Sequence, residues 1–243
     1  MKGQLYVREF ARRSINRARG ALFHRGHSVT CPCCGSSFDS FARQVAPNRE
    51  CWMCSSLERH RLLWLYLEGH PEMVRPGLRV LHVAPEPALR LRLEEIPDVD
   101  YVGGDVDQRF GSVRVDVTDI DFPDDSFDAV LCNHVLEHVP DDRRALRELR
   151  RVLRPGGWAS LLVPDVDRPA TDEDPTVTDP NERLRRFGQR DHVRRYGEDY
   201  VERLREAGFE PEVVQMNDVL PDDQLERMRL VKFGAVEPLF ICR

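Results

Sequence analysis

The stretch that decides the fold reads DVTDIDFPDDSFDAVLCNHVLEHVPDDRRALRELRRVLRPGGWASLLVP, residues 116–164. Within it, SFDAVLCN (126–133) is an apolar run of strand length. DDRRALRELRRVL (141–153) puts Leu146, Leu149, Val152 and Leu153 on one helical face, and Arg154-Pro-Gly-Gly157 ends it. WASLLVP (158–164) then reads as a further strand. Strand, helix and strand in succession imply a parallel βαβ unit in an open sheet covered on both faces.

The same rhythm extends in both directions. Upstream, RVLHV (79–83) reads as a buried strand, PALRLRLEEI (87–96) as a helix, VDYVGG (99–104) as a strand and VRV (113–115) as a short one. Downstream come the helix EDYVERLREAGF (198–209), the strand EPEVVQM (210–216) and a last strand near VEPLFICR (236–243). Residues 165–197, rich in Pro, Asp, Thr and Arg, break the rhythm with a long polar excursion, and such excursions are usually functional or disordered. The expected class is therefore α/β, with a ligand at the carboxyl ends of the strands near the switch point of the sheet.

Length and charge set the outer bounds. A chain of 243 residues can bury a sizeable core in one large domain with an appendage. The formal net charge is −6, too mild for a protein that coats nucleic acid throughout. The charge is uneven: residues 1–30 carry seven basic groups against one acid (Glu9), a net of +6, leaving −12 for the rest. No apolar run approaches the roughly 18–20 residues of a membrane-spanning helix, and no apolar signal core opens the chain. A cytoplasmic protein without a membrane span is expected. The organisation that follows is a basic arm over 1–27 with scattered apolar positions (Leu5, Phe10, Ile15, Leu22), a cysteine-rich segment with its following helix over 28–70, and the α/β domain over 71–243. The arm reads as a solvated, partly helical segment, with RNA contact through residues 1–60 as the sharper alternative.

Five of the seven cysteines crowd into residues 31–54. Cys31, Cys34, Cys51 and Cys54 form two C-x2-C knuckles, whose thiolates can close a tetrahedral shell at about 2.3 Å from one Zn2+. Cys33 is a spare ligand and His60 an alternative, with a surface or packing role as the plainer reading of the histidine. Four thiolates leave no open position, so the zinc is expected to be structural. Ser55 followed by Glu58 has the form of a capping box, opening a helix to about residue 69 that buries Leu62, Leu63, Leu65, Tyr66 and Leu67. Cys132 and Cys242, inside strands, read as ordinary buried cysteines.

Three features sharpen the α/β domain: Gly103-Gly104-Asp105-Val106-Asp107 after the second strand, Asp116-Val117-Thr118 after the third, and Asn133-His-Val-Leu-Glu-His138 after the fourth. With residues 116–164, these resemble the class I S-adenosylmethionine-dependent methyltransferases of the small type 11 kind, over roughly residues 72–243. The resemblance implies a Rossmann-like seven-stranded sheet whose last strand is antiparallel, with S-adenosyl-L-methionine as cofactor. It implies that Asp105 bonds the ribose hydroxyls, that Asp116 lies near the adenine amino group with Val117 beside the ring and Val106 close by, and that Asn133 opens the segment lining the methionine end. The first loop departs from the family pattern. It reads His82-Val-Ala84-Pro85-Glu86-Pro-Ala88 where an acid and three glycines are usual. Glycine permits φ > 0 and close approach to a ligand, so this loop requires a different path. The chain is also similar to a bacterial subgroup that combines this VAPE loop with a preceding CPxCG…C-SLERHRLLWLYL segment. His82, Ala84, Pro85 and Glu86 become cofactor-loop candidates, with Glu86 able to meet the ammonium of the methionine moiety by charge pairing.

Methyl transfer from a sulfonium is an in-line displacement, so the enzyme mainly aligns two partners in a dry pocket. A base is needed only where the acceptor must lose a proton. His192, inside the 165–197 excursion, and His134 are the candidates, while His134 and His138 also read as structural. Arg194, Arg195 and Tyr196 suit an anionic or sugar-like acceptor, or simply the start of a solvated helix. Asn133-His-Val-Leu lacks the Asn-Pro-Pro-aromatic form of enzymes that methylate base amino groups. The reading that emerges is a methyltransferase acting on a small-molecule or saccharide-type acceptor. An RNA methyltransferase using ribbon and arm, and a non-catalytic zinc-ribbon interaction protein, stand as alternatives.

Overall fold

The computed structural model describes residues 2–44, 46–107, 112–164, 166–232 and 234–243. The side chains of Leu5 and Phe10, and Asp165 at the start of the expected excursion, lie outside the described residues. The chain divides into two compact units, residues 1–74, 86–95 and 215–237 in one and 75–85, 96–214 and 238–243 in the other. The first break follows residue 74, and two later segments cluster with the N-terminal residues.

In the first unit, helix α1 (Lys2–Phe23) precedes two small antiparallel pairs, Arg25–Thr30 with Ser37–Phe38 and Ala42–Gln44 with Ala46–Glu50. The arm is thus a continuous helix, and it packs. Gly20 lies so close to Trp52 that a Cβ there would stand 2.4 Å from the tryptophan Cβ. Arg17 Nε donates to the Met53 carbonyl at 2.8 Å. Ile15 and Leu22 remain exposed.

Helix α2 (Glu58–Gly69) buries Leu62, Leu63, Tyr66 and Leu67 as expected, while Leu65 is only partly covered. The expected capping box at Ser55 does not form. Ser55 has φ +60 and gives its N–H to the Cys51 carbonyl, which places it in the cysteine knuckle. The helix starts after Leu57, whose N–H is taken by His60 Nδ1 at 3.1 Å, and Glu58 pairs with Arg49 instead. Arg61 is the unanticipated member of this helix. It is fully buried, and its guanidinium donates to the carbonyls of Arg49, Ser56, Met228 and Arg229. A buried charge persists only when its donors are satisfied, and here four carbonyls do that. Helix α3 (Pro87–Leu93) stays in this unit, with the Arg92 guanidinium 4.6 Å from the Trp64 ring centre. A helix at Asp222–Arg227 and a hairpin of Val231–Lys232 with Ala235–Val236 complete it, where the sequence suggested no elements.

The second unit is built on a seven-stranded sheet of β1 (Arg79–Val83), β2 (Asp100–Asp105), β3 (Val113–Arg114), β4 (Phe127–Cys132), β5 (Leu153–Ser160), β6 (Pro211–Val214) and β7 (Leu239–Cys242). Their spatial order is β3-β2-β1-β4-β5-β7-β6. The first five are mutually parallel, and β7 runs antiparallel to both β5 and β6, as the resemblance implied. Val80, Leu81, Ala129, Val130 and Leu131 are fully buried, the near-continuous apolar character of strands covered on two faces. Helix α4 (Asp142–Val152) lays Leu146, Leu149 and Val152 into this core, and Asp141 caps it by accepting the Arg144 N–H. Cys132 and Cys242 are buried, and burial pushes the Cys242 thiol up to about 12.

The fifth strand was expected over 158–164 but runs from Leu153 to Ser160, so Arg154-Pro-Gly-Gly157 opens it as well as ending the helix. Gly157 is required there, because a Cβ would stand 2.7 Å from the Asp128 carbonyl oxygen of the neighbouring strand. Residues 166–197 carry elements of their own. Asp172–Glu173 pairs antiparallel with Arg194–Arg195, enclosing helix α5 (Pro180–Phe187), which Asp179 caps. Helix α6 (Tyr200–Glu206) follows it.

Candidate active site

The chain builds β1, β2 and β3 to one side, then crosses to lay β4 and β5 on the other, so the switch point lies between β1 and β4. Their carboxyl ends are level, with Val83 paired to Cys132. Directly after each strand the backbone turns through a left-handed residue, Ala84 at φ +47 and His134 at φ +54. Neither is glycine, and both conformations cost strain. Ala84 adopts its positive φ without being glycine, and its N–H is fixed on the Gly104 carbonyl at 2.7 Å.

At this switch point lies a cavity of about 640 Å³. Val83, Ala84, Val106, Val115 and Val117 give it an apolar side, Asp105 and Asp116 supply carboxylates, and His134, His138 and Asp191 stand at its polar side. Asp105 Oδ1 accepts the Asp107 N–H at 2.8 Å. The Asp116 carboxyl is held below its usual range by hydrogen bonds from Thr118, whose hydroxyl and N–H lie at 2.7 and 2.9 Å, so it remains an ionised acceptor. Gly104 is the close-approach residue, since a Cβ would meet Val115 Cγ2 at 2.4 Å.

Of the expected cofactor residues, Ala84, Asp105, Val106, Asp116 and Val117 line this cavity together. Four others are engaged elsewhere. His82 is buried, with Nδ1 2.9 Å from the Tyr101 hydroxyl, and Pro85 packs on Gly103. Glu86 belongs to the first unit, where its carboxylate lies 3.5 Å from His60 Nε2. Asn133 Oδ1 accepts the Ser160 hydroxyl at 2.8 Å, tying β4 to β5.

The expected substrate residues are likewise spent on the fold. Arg194 is buried and donates to the carbonyls of Leu136, Val139 and Pro140, while pairing with Glu173 and Asp142. Tyr196 is fully buried, with its hydroxyl on Asp142 Oδ2 at 2.8 Å. Arg195 pairs with Asp167 at 2.6 Å. None of the three lines the cavity, and Arg194 and Tyr196 belong to a buried network around Asp142. His192 is buried with Nδ1 3.0 Å from the Phe187 carbonyl, and it too is absent from the cavity wall. His134, by contrast, is on it.

In the first unit the Sγ atoms of Cys31, Cys34, Cys51 and Cys54 all lie within 4.8 Å of one another. Cys31 and Cys54 are 3.6 Å apart, Cys34 and Cys51 3.7 Å. The edge of a tetrahedron with about 2.3 Å metal–sulfur bonds is about 3.8 Å, so these four positions fit a zinc ion. Cys33 points away, toward the His60 carbonyl, and His60 is outside the cluster. The basic arm is partly consumed in the same unit, with Arg12 paired to Glu50 and Arg19 over the Trp52 ring.

Comparison with known proteins agrees with the switch-point geometry. Residues 73–161 match the family described as Methyltransferase domain. The chain is similar to that family over this segment. It is 38% identical over 112 residues to the 27-O-demethylrifamycin SV methyltransferase of Amycolatopsis mediterranei, covering 44% of this chain and 38% of that protein. The chain thus spans under two fifths of that relative's length. Among solved structures, the S-adenosylmethionine-dependent methyltransferase of Mesorhizobium loti superposes with a TM-score of 0.53 at 17% identity, over 75% of this chain and 97% of the other. The 1,6-didemethyltoxoflavin-N1-methyltransferase of Burkholderia thailandensis, solved with 1,6-didemethyltoxoflavin and S-adenosylhomocysteine bound, gives 0.50 at 21% identity over 76% and 77%. At these identities the two structures show a shared fold and nothing beyond it. Among the described residues, no helix is long and apolar enough to cross a membrane.

Proposed function

We propose that this chain is an S-adenosylmethionine-dependent methyltransferase acting on a small-molecule acceptor, with residues 28–70 serving as a structural zinc ribbon and 71–243 as the catalytic domain. The observation that carries the reading is the pairing of Asp105 and Asp116 on one cavity at the switch point between β1 and β4. A nucleoside presents a ribose diol and an exocyclic amine, and two acceptor carboxylates at the ends of neighbouring strands are the matching groups. Val106 and Val117, beside them on the same wall, suit the faces of a purine. The relative from Amycolatopsis and the neighbour from Burkholderia are both named for small-molecule acceptors, and the latter binds S-adenosylhomocysteine.

The cofactor supplies an electrophilic methyl group on a sulfonium. The protein's part is to hold, orient and dry. Asp105 takes the ribose hydroxyls, Asp116 accepts from the adenine amine, and the valine wall excludes water that would compete for the electrophile. His134, on the wall at the end of β4, is the group assigned to receive a proton where the acceptor must lose one. The four-cysteine zinc holds the first unit together and takes no part in methyl transfer, having no open position. The test is incubation with cofactor labelled in the methyl group and a panel of phenols, quinols and nitrogen heterocycles. Label transferred to one of these, and lost in Asp105→Ala, supports the assignment. Label that reaches RNA and none of the small molecules sinks it.

A further inference from the structure

Beside the cavity, three side chains bring potential ligand atoms within 4.8 Å of one another: Glu137 and His138 from the short turn after β4, and His192 from the 165–197 segment. Glu137 and His192 are almost wholly buried, 1% and 3% exposed, while His138 is half-buried and lines the cavity. The rings of His138 and His192 meet edge to face at 4.7 Å.

The protonation of the two imidazoles is set from behind. His192 Nδ1 faces the Phe187 carbonyl at 3.0 Å, and a carbonyl only accepts, so Nδ1 carries the proton and Nε2 keeps its lone pair. His138 Nδ1 lies 3.4 Å from the Asp191 carboxylate, which favours a proton on that nitrogen. A backbone carbonyl behind one histidine and a carboxylate behind the other is the outer arrangement that orients imidazoles toward a metal ion. The third ligand is fixed through its backbone. The Glu137 carbonyl accepts the Val193 N–H at 2.9 Å, and Arg194 donates to the carbonyls of Leu136, Val139 and Pro140 around it. His134 Nδ1, 3.5 Å from Glu137 Oε1, supports the carboxylate from the cavity side.

We propose that Glu137, His138 and His192 form a second metal site, for a divalent ion of the zinc, iron or cobalt kind, separate from the cysteine cluster. Two imidazoles and one carboxylate suit these ions, and three protein ligands leave at least one position open. Because His138 is part of the cavity wall, a molecule in the cavity reaches that position. The acceptor class this selects, resting on the methyltransferase reading, is one that offers an oxygen atom, hydroxyl or carbonyl, as a ligand. This gives buried His192 a task it does not have as a free base.

The test uses the full chain loaded with one equivalent of Zn2+ in the cysteine cluster, freed of excess metal by gel filtration and titrated with Co2+ by calorimetry and visible absorption. One Co2+ binds per chain in addition to the zinc, with d–d bands and no sulfur charge-transfer band. Glu137→Gln and His192→Ala each weaken it at least tenfold. His138→Ala, at the most exposed ligand, weakens it likewise without disturbing the buried pair and guards against a misfolded variant. No Co2+ binding up to millimolar concentration, or unchanged affinity in all three variants, overturns the site. S-adenosylhomocysteine binding is measured on the same sample. Co2+ binding without it leaves the metal site standing and removes the methyl-transfer reading, so the two failures are distinguishable.

Discussion

Ser55 in the second cysteine knuckle occupies the place that Gly35 occupies in the first. Each lies four residues after the opening cysteine (Cys51 or Cys31), each gives its N–H to that cysteine's carbonyl, and their φ angles are +60 and +69. The knuckles also share a bond from the opening cysteine N–H to the carbonyl five residues on, Ser36 or Ser56, at 2.9 Å. A left-handed conformation costs a non-glycine residue about 1 kcal/mol. Ser55→Gly is therefore expected to stabilise the protein by up to about 1 kcal/mol, and Gly35→Ala to destabilise it by a similar amount. Thermal melts of both variants check the pair. A Ser55→Gly protein that melts lower than the parent contradicts the assignment of this turn.

The cysteine geometry predicts one tightly held zinc per chain, lost in Cys51→Ser. Removing zinc with a chelator takes away the cross-link on which Trp52 and the two small antiparallel pairs depend, because a ribbon this small has little core of its own. The expected outcome is loss of order around Trp52, read by its fluorescence, with the sheet of the second unit retained in circular dichroism. A metal-free protein with unchanged tryptophan emission tells against the structural role.

Glu173 joins the two short strands of the 165–197 segment to helix α6, and its carboxyl is pulled down to about 2. Hydrogen bonds from Arg203 are the largest cause, those from Arg194 add to them, and partial burial opposes both. A carboxyl lower in the folded than in the unfolded chain, where it titrates at about 4.3, stabilises the fold above that pH. The contribution is lost as pH falls through about 2. Acid unfolding should therefore show a stability decline between about pH 4 and pH 2, with a shallower slope in Glu173→Gln. Identical acid profiles for the two proteins would refute the linkage.

Gly104 packs against Val115 of the cavity wall, where a Cβ would stand 2.4 Å from Cγ2. Gly104→Ala must displace Val115, at a cost of about 1–3 kcal/mol. Because Val115, Asp116 and Val117 line the cavity, the same substitution should weaken nucleoside binding. Combining it with Val115→Ala, which vacates the space, should restore part of both. Denaturant melts and S-adenosylhomocysteine titrations of the single and double variants measure this, and no recovery in the double variant would exclude the clash as cause.

Elements with a strong local period were legible in the sequence. The strands at Arg79–Val83 and Phe127–Cys132 and the helix Asp142–Val152 fall where apolar spacing places them. So does the four-cysteine cluster, because C-x2-C is a local constraint. What escaped depends on partners far along the chain. Ser55-x-x-Glu58 satisfies the pattern of a cap, but the knuckle, repeated from Gly35, claims Ser55 first. Arg194 and Tyr196 look like recognition residues in a polar segment, yet Asp142 and Glu173, distant in sequence, draw both into the interior. Glu137 and His138 lie inside a stretch of familiar pattern, and only the fold brings His192 to them. Of the residues read as cofactor contacts, Asp105 and Asp116 line the cavity after β2 and β3, whereas His82, Pro85, Glu86 and Asn133 do not, because burial and alternative partners decide their orientation.

The central claim is that Asp105 and Asp116 hold the nucleoside of the cofactor at the switch point. Calorimetric titration of the full chain with S-adenosylhomocysteine, alongside Asp105→Ala, tests it most directly. The account predicts one site per chain of micromolar or tighter affinity, weakened at least tenfold by the substitution. No heat of binding to the parent protein, or equal affinity in the variant, would contradict it.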